Sequence, residues 1–270
     1  MQINIKEQDI RKLGALNISC HNGVVILDFG ADAKKCDDES GVIGQFTPMN
    51  LPLKDLNHLT WREIEAIGKS GKAREFFALG AQKKDYMKDG FVATYQIIGF
   101  DHDDLADGFG KAPISWDMVH IYRDDWSMND ESTNVGGWEA CKMNKRLNSE
   151  FFALCSDDLQ SVIKPVIKLT SAGNCSKEII KSNCKVWLKS EKELYGRCYY
   201  SMPGEGHWYE YYRQEDVPYY KEDVNGEKRW NWERSPYYYS SNRFCSVNTS
   251  GDASGYDARY SYGLAPAFSF

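Results

Sequence analysis

The chain contains no long hydrophobic run. No segment approaches the roughly 20 consecutive apolar residues that a membrane-spanning helix needs. The first residues, MQINIKEQDIRKLG, also lack the apolar centre of a secretory signal. These two absences predict a soluble chain without membrane insertion. They leave its location open, because a phage virion, a bacterial surface and the cytoplasm all remain compatible.

An excess of positive charge is also missing. The formal net charge is −6 and the isoelectric point is near 5.5. Proteins that bind the phosphate backbone need a clustered positive surface. We therefore do not expect nucleic acid as a partner.

Recognisable catalytic and metal-binding motifs are scarce. None of the five histidines lies in a Ser/His/Asp or Cys/His motif, and none of the eight cysteines forms a CxxC pair. The sequence predicts a protein that is not an enzyme and has no cofactor. In the absence of an export signal we expect mostly buried, reduced thiols, with one or two disulfides as the alternative if the protein leaves the cell by another route.

The remaining composition, 42% hydrophobic and 27% charged, is sufficient for a sizeable core. Residues 1–55 are predicted to form a small N-terminal module that tethers or oligomerises the protein, so a homo-oligomer is one expectation. A strand is predicted in GVVILDFG (23–30) and a loop or linker over 37–52. The main domain is predicted to span residues 56–270.

Helix signals precede strand signals in that domain. Thr60 and Glu63 predict a capping box, followed by an amphipathic helix carrying Trp61, Ile64 and Ile67. FFALG (76–80) and FVATYQIIGF (91–100) are predicted strands. Apolar residues then recur at helical spacing from near Trp138: Ala140, Met143, Leu147, Phe151 and Leu154. Ser156 is predicted to cap a second helix, and strand signals dominate after Cys184, so the order favours an α+β fold.

An acidic loop offers one candidate metal site. Asp101, Asp103 and Asp107 place oxygen donors at close spacing, as a hard cation such as Ca²⁺ requires. The loop lacks the order of an EF-hand. A solvated loop, or carboxylates that cap a nearby turn, is the alternative that we favour.

Tyrosine is concentrated near the C-terminus. Fourteen of the 17 tyrosines lie between Tyr195 and Tyr262, and residues 230–270 contain no lysine. Tyrosine, serine and asparagine are the residue types of antibody paratopes, because they combine contact area with adaptable hydrogen bonding. A tyrosine-rich sheet surface without a ligand explains the composition equally well. The candidate ligand-binding residues are Tyr237, Tyr238, Tyr239, Ser240, Asn242, Arg243, Asn248, Asp252, Tyr256, Asp257, Arg259, Tyr260 and Tyr262.

Several short motifs also resemble a known family. WERSP (232–236), Phe244-x-x-Val247, Gly251, Ala258 and GLAPAF (263–268) resemble a C-terminal pattern, usually W-L-R-S-P then F-x-x-V, G and G-V-x-P-A-F, of a bacterial and phage family of uncharacterised function. Upstream matches are Trp61-x-x-Ile64, GFDHDDL (99–105), GGWE (136–139), Leu147-Asn148 and IKPV (163–166). Glu233 departs from the usual leucine, which puts the packing near Arg234 in doubt.

That family is similar to proteins with a C-type-lectin fold and includes hypervariable proteins of diversity-generating retroelements. The resemblance implies a C-type-lectin-like domain, related in fold to formylglycine-generating enzymes, whose segment 230–270 displays a changeable surface. The implied partner is a protein or glycan, often bound from a phage tail or a cell surface. Trp232, Phe244, Val247, Leu264 and Phe268 would form its framework. An oxidoreductase on the same fold and a non-variable structural virion component are the alternatives.

Overall fold

The computed structural model describes residues 17–21, 24–28 and 55–270. Contacts within the chain divide it into two units, Met1–Leu51 and Pro52–Phe270. In the first unit, β1 (Asn17–His21) and β2 (Val24–Asp28) form an antiparallel pair, which confirms the strand predicted within 23–30. The loop predicted for 37–52 lies outside the described residues.

The first helix of the second unit, Trp61–Lys69, begins as its sequence predicts. The Thr60 hydroxyl accepts a hydrogen bond from the Glu63 N–H, and the Glu63 carboxylate accepts one from the Thr60 N–H. This reciprocal cap satisfies two N–H groups that a helix start leaves unpaired. Trp61 and Ile64 are buried, whereas Ile67 is half-buried.

The segment 76–80 is not a strand. A one-turn helix, Ala73–Phe76, ends there, and the strand that pairs with Val92–Phe100 is Gln82–Tyr86. Gln82–Tyr86 alternates exposed and buried residues but carries two lysines and an aspartate, so its apolar signal is weak. The strand predicted within 91–100 is confirmed.

The helical stretch predicted from Trp138 is broken into short pieces. Met143, Leu147 and Phe151 are buried on one side of it as predicted, but Ala140 is exposed. Ser156 caps the next helix by accepting a hydrogen bond from the Leu159 N–H, as predicted. The α-helices after Phe76 are Gly137–Ala140, Lys142–Arg146, Phe152–Leu154, Asp157–Val162 and Glu191–Tyr195, with a π-helical turn at Leu147–Phe151. Leu56–His58 and Tyr211–Arg213 are 3₁₀ turns.

The named strands pair antiparallel. The remaining fourteen are β3 (Gln82–Tyr86), β4 (Val92–Phe100), β5 (Ile114–Met118), β6 (Trp126–Ser127), β7 (Val166–Ser171), β8 (Ile179–Cys184), β9 (Val186–Trp187), β10 (Lys221–Glu222), β11 (Lys228–Arg229), β12 (Asn231–Pro236), β13 (Arg243–Val247), β14 (Ala253–Asp257), β15 (Ser261–Tyr262) and β16 (Ala267–Ser269). They form a five-stranded sheet in the order β3-β4-β5-β16-β9, a three-stranded sheet β12-β13-β14, and the pairs β7-β8, β10-β11 and β15-β6.

The C-terminal strand lies inside the main sheet. Ala267–Ser269 pairs with Ile114–Met118 on one side and with Val186–Trp187 on the other. Phe268 packs edge-on against Trp61 and Tyr95, in the aromatic core. Helices and antiparallel sheets therefore share one core, and the fold class is α+β as predicted. No helix in the described part of the chain is long and apolar enough to cross a membrane.

Candidate functional site

The C-terminal segment separates buried framework residues from accessible ones. Each of the five predicted framework side chains is at most 2% exposed; they are Trp232, Phe244, Val247, Leu264 and Phe268. Arg243, Asp252, Arg259, Tyr239 and Tyr260 are exposed. The other candidate residues are half-buried: Tyr237, Tyr238, Ser240, Asn242, Asn248, Tyr256, Asp257 and Tyr262. None of the thirteen candidate side chains is fully buried.

A first group of tyrosines lies on the turn between β12 and β13. The ring of Tyr237 stacks on Tyr200 at a centroid distance of 4.9 Å, and Tyr239 packs edge-on against Tyr238. Tyr237 also covers Gly255 of β14, where a Cβ atom would lie 2.2 Å from the Tyr237 ring. Glycine at 255 thus permits this close approach.

Buried Asn134 fixes the backbone of that turn. Its side-chain N–H groups donate to the carbonyl oxygens of Ser240 and Arg243, each at 2.7 Å, and its Oδ1 accepts a hydrogen bond from the Asn174 N–H. Asn134 itself has no exposed surface. The turn that carries the tyrosines is therefore anchored by a residue about one hundred positions upstream in the sequence.

A second aromatic group surrounds Tyr256 of β14. The ring of Tyr256 lies 4.9 Å from Trp230, 5.0 Å from Tyr262 and 6.2 Å from Tyr260. Tyr260 is 54% exposed, so this group also reaches the surface. Trp230 and Tyr200 were not among the predicted site residues. Tyr200 belongs to the tyrosine-rich stretch and Trp230 opens the C-terminal segment, so composition alone could have included both.

A depression of about 510 Å³ lies beside the second aromatic group. It is lined by Asn242, Arg243, Ser254, Gly255, Tyr256, Asp257 and Tyr260. Asp257 accepts hydrogen bonds from Arg259 at 3.0 Å and from Ser132 at 2.5 Å. The hydrogen bond from Arg259 has the largest effect on the pKa of the Asp257 carboxyl. Together with the bond from Ser132, it holds that pKa below its usual range.

Another depression, of about 340 Å³, lies at the opposite end of β14. It is lined by Tyr195, Tyr199, Tyr200, Tyr219, Gly251, Asp252 and Ala253. The Oδ1 of Asn248 accepts hydrogen bonds from the Ser250 and Asp252 N–H groups within its own turn. Tyr200 lines this second depression and stacks on Tyr237, which packs over Gly255 in the first. We call the two depressions and the tyrosines between them the tyrosine surface.

Arg234 of β12 belongs to a buried ion-pair network. It is 0% exposed and contacts both carboxylate oxygens of Glu193. Glu193 also accepts from Lys168, which donates to Asp103 at 2.6 Å. Burial opposes the charge on Glu193, but the attraction of Arg234 and Lys168 prevails and lowers its pKa. The guanidinium of Arg234 is thus paired with Glu193, whereas its Nε and both carboxylate oxygens of the adjacent Glu233 have no hydrogen-bond partner.

The acidic loop is not assembled as a cation site. Asp103 is buried, and its carboxylate faces Lys168, the Tyr209 hydroxyl and the hydroxyls of Ser115 and Ser269. Asp107 is exposed and caps its own turn by accepting from the Phe109 N–H, while Asp101 is exposed. This arrangement gives the calcium prediction at Asp101, Asp103 and Asp107 no support, because the Asp103 carboxylate is already paired with Lys168 and the other two side chains are exposed.

The cysteines in the second unit are free thiols. Cys245 is 0% exposed. Burial, and to a lesser extent the negative charge of Glu191, raise the pKa of its thiol well above the usual range. A thiolate is the reactive form of cysteine, so burial in this environment argues against Cys245 as a nucleophile. Cys141, Cys155, Cys184 and Cys245 are buried, Cys198 is half-buried, and Cys175 is exposed.

One family model matches the chain. It is described as a domain of unknown function, DUF6273, and covers residues 114–270. The matched region includes both depressions and the whole C-terminal segment. No curated protein and no solved structure matches the chain.

Proposed function

The chain belongs to the DUF6273 family, whose domain has no known function, so we propose a function from the geometry of the chain itself. We propose that it is a non-catalytic protein that binds a protein or glycan through the tyrosine surface. The scaffold in this proposal is a C-type-lectin-like domain, and the surface is changeable, as in variable proteins of diversity-generating retroelements. The site of action is a phage tail or a cell surface.

One observation carries the proposal. Between Trp232 and Phe268, the side chains that would have to stay constant are buried, and the thirteen candidates for variation are accessible. Substitution of accessible residues usually changes stability by less than about 0.5 kcal/mol, whereas core substitutions cost several times more. This arrangement allows the ligand to change without loss of the fold.

The chemistry of the surface suits recognition. Tyr239 and Tyr260 are 71% and 54% exposed, although large aromatic side chains are usually mostly buried. A tyrosine side chain offers much contact area for the loss of two torsions, and its hydroxyl adds a hydrogen bond. The stack of Tyr237 on Tyr200 and the Asn134 bonds hold this surface in place before a ligand arrives, which reduces the entropy lost on binding.

The direct experiment compares binding by the full chain and by the triple variant Tyr238→Ser, Tyr239→Ser and Tyr260→Ser. The probes are an array of bacterial surface glycans and a panel of intact bacterial cells. Tyr86→Ser is the matched control, because Tyr86 is 71% exposed like Tyr239 but lies on β3, outside the tyrosine surface. The proposal predicts that the triple variant loses binding and the control keeps it. Equal binding by all three proteins would contradict it.

A display library tests the same surface without knowledge of the natural ligand. Codons for Tyr238, Tyr239, Asn242, Tyr256 and Tyr260 are randomised, and folded variants are selected for binding to lysozyme as an arbitrary protein probe. We expect specific binders to emerge from this library. A library that mostly unfolds would argue against a variable surface, and a missing template repeat and reverse transcriptase gene beside the coding sequence would argue against diversification.

A further inference from the structure

Three buried side chains with metal-binding atoms meet below the tyrosine surface. One ligand atom each from Glu191, Glu233 and Cys245 lies within 4.8 Å of the others. The three residues are 0%, 1% and 0% exposed. Among residues 55–270, no other group of three or more His, Cys, Asp and Glu side chains brings its atoms this close.

Three different elements supply these groups. Glu191 is the first residue of the helix Glu191–Tyr195, Glu233 lies in β12, and Cys245 lies in the neighbouring strand β13. The register of β12 and β13 shifts between Trp232 and Pro236, the stretch that contains Glu233. Such irregularities redirect a side chain relative to a regular strand.

Glu233 is the observation that points to a ligand. Neither of its carboxylate oxygens has a hydrogen-bond partner, although the side chain is almost completely buried. A buried charged carboxylate without partners is strongly unfavourable, and proteins pair buried charges or use them to coordinate metals. One of its oxygens instead lies within 4.8 Å of a carboxylate oxygen of Glu191 and of the sulfur of Cys245.

The neighbouring cations do not meet this need. The guanidinium of Arg234 bonds the carboxylate of Glu193, and the ammonium of Lys189 bonds Asp117. Glu191 accepts hydrogen bonds from the backbone N–H groups of Tyr199, Tyr200 and Ser201, which fix its carboxylate in position but bring no formal positive charge. A cation between the three groups would provide it.

We propose that Glu191, Glu233 and Cys245 bind one zinc ion in a buried site, with a water molecule in the fourth position that these three side chains leave. Zinc accepts both thiolate sulfur and carboxylate oxygen. Calcium and magnesium prefer oxygen ligands alone, so the cysteine selects against them. The site is independent of the proposed ligand binding, because metal content is measured without a ligand.

Zinc at this position would stiffen the floor of the tyrosine surface. Glu191 holds the backbone of Tyr199 and Tyr200, and Cys245 is paired in register with Gly255, over which Tyr237 packs. The ion would join the helix that carries Glu191 to two strands of the three-stranded sheet. Zinc binds the deprotonated ligands, so each thiol or carboxyl that is neutral beforehand releases its proton to solvent on binding.

The test is the metal content of the full chain, purified after reconstitution with zinc and removal of unbound metal. We expect elemental mass spectrometry to find about one zinc per chain. X-ray absorption spectroscopy at the zinc edge should show one sulfur ligand. Glu233→Leu and Cys245→Ser are expected to reduce the zinc content at least tenfold. Leucine is chosen because it removes both carboxylate oxygens and suits a buried position. Cys155→Ser, which alters a buried thiol outside the group, is expected to retain zinc.

The wild-type protein alone can overturn the proposal. A chain that remains folded and holds less than one tenth of a zinc after reconstitution would contradict it. Zinc content that is equal in the wild type, Glu233→Leu and Cys245→Ser would also contradict it. If a variant fails to fold, the cobalt-loaded wild type decides: a sulfur-to-cobalt charge-transfer band supports the site, and cobalt binding without that band refutes the cysteine ligand.

Discussion

The accessible tyrosines and the buried aromatic residues of the C-terminal segment should respond differently to truncation. Tyr238, Tyr239 and Tyr260 lie at the surface, whereas Trp232 and Phe268 are each 2% exposed. We expect the triple serine variant to unfold at nearly the wild-type denaturant concentration. Trp232→Ala or Phe268→Ala should each lower the free energy of unfolding by about 3–5 kcal/mol, because each leaves a cavity. Urea titration followed by circular dichroism measures both; a large loss in the triple variant would show that these tyrosines are part of the core.

A single buried carboxyl should impose a pH dependence on stability. Burial raises the pKa of Glu205 to about 7. Between the unfolded pKa near 4.5 and this value, the unfolded chain loses its proton while the folded chain keeps it, so stability falls as pH rises through this window. Each unit of difference corresponds to about 1.4 kcal/mol. Glutamine at 205 does not titrate.

The expected result is that Glu205→Gln gains stability relative to the wild type as the pH rises from about 4.5 to about 7, with a constant difference above that. Urea titrations at several pH values measure it. A stability difference that does not vary with pH would show that Glu205 ionises normally in the folded protein.

At the residue scale the sequence predicts what short-range chemistry determines. The five framework residues are apolar and stand among small polar residues in the sequence, so their burial could be predicted directly. Asn134, by contrast, carries no signal in sequence: its hydrogen bonds reach Ser240 and Arg243 across the fold. The partner of Asp103 was also unpredictable, since Lys168 lies 65 positions away.

Among the elements, the helix Trp61–Lys69 offers a direct test of local sequence chemistry. Thr60→Ala removes the hydroxyl that caps the helix and should lower the free energy of unfolding by about 1 kcal/mol. Thr60→Ser keeps the hydroxyl and should change stability much less. Thermal unfolding of both variants provides the comparison. Equal destabilisation by alanine and serine would mean that the methyl group, not the cap, supports the helix.

Elements with strong local signals were predictable, and those defined by distant pairing were not. The capped helices at Thr60 and Ser156 and the apolar strand Val92–Phe100 follow from sequence. FFALG has the composition of a strand, but the hydrogen-bonding edge of β4 is occupied by the charged strand Gln82–Tyr86. Composition cannot decide such a competition, because it depends on which segment reaches the edge.

For the whole molecule, the α+β class follows from the order of helix and strand signals, but the surface is a product of long-range contacts. The tyrosine surface combines residues 195–219 with residues 237–260 and rests on Asn134. The C-terminal strand pairs with segments about 80 and 150 residues earlier in the chain. Periodicity in the sequence carries no information about contacts over such distances. Composition could therefore predict which stretch of the chain supplies the surface, but not how its parts come together.

The central claim is that residues 230–270 alternate between side chains that hold the fold and side chains that are free to vary. A scan of every single substitution in this segment, with resistance to protease as the measure of folding, tests it most directly. We expect Trp232, Phe244, Val247, Leu264 and Phe268 to tolerate few replacements, and most of the thirteen candidate positions to accept nearly all polar and aromatic ones. Uniform intolerance along the segment, or free replacement of the five buried residues, would contradict the account.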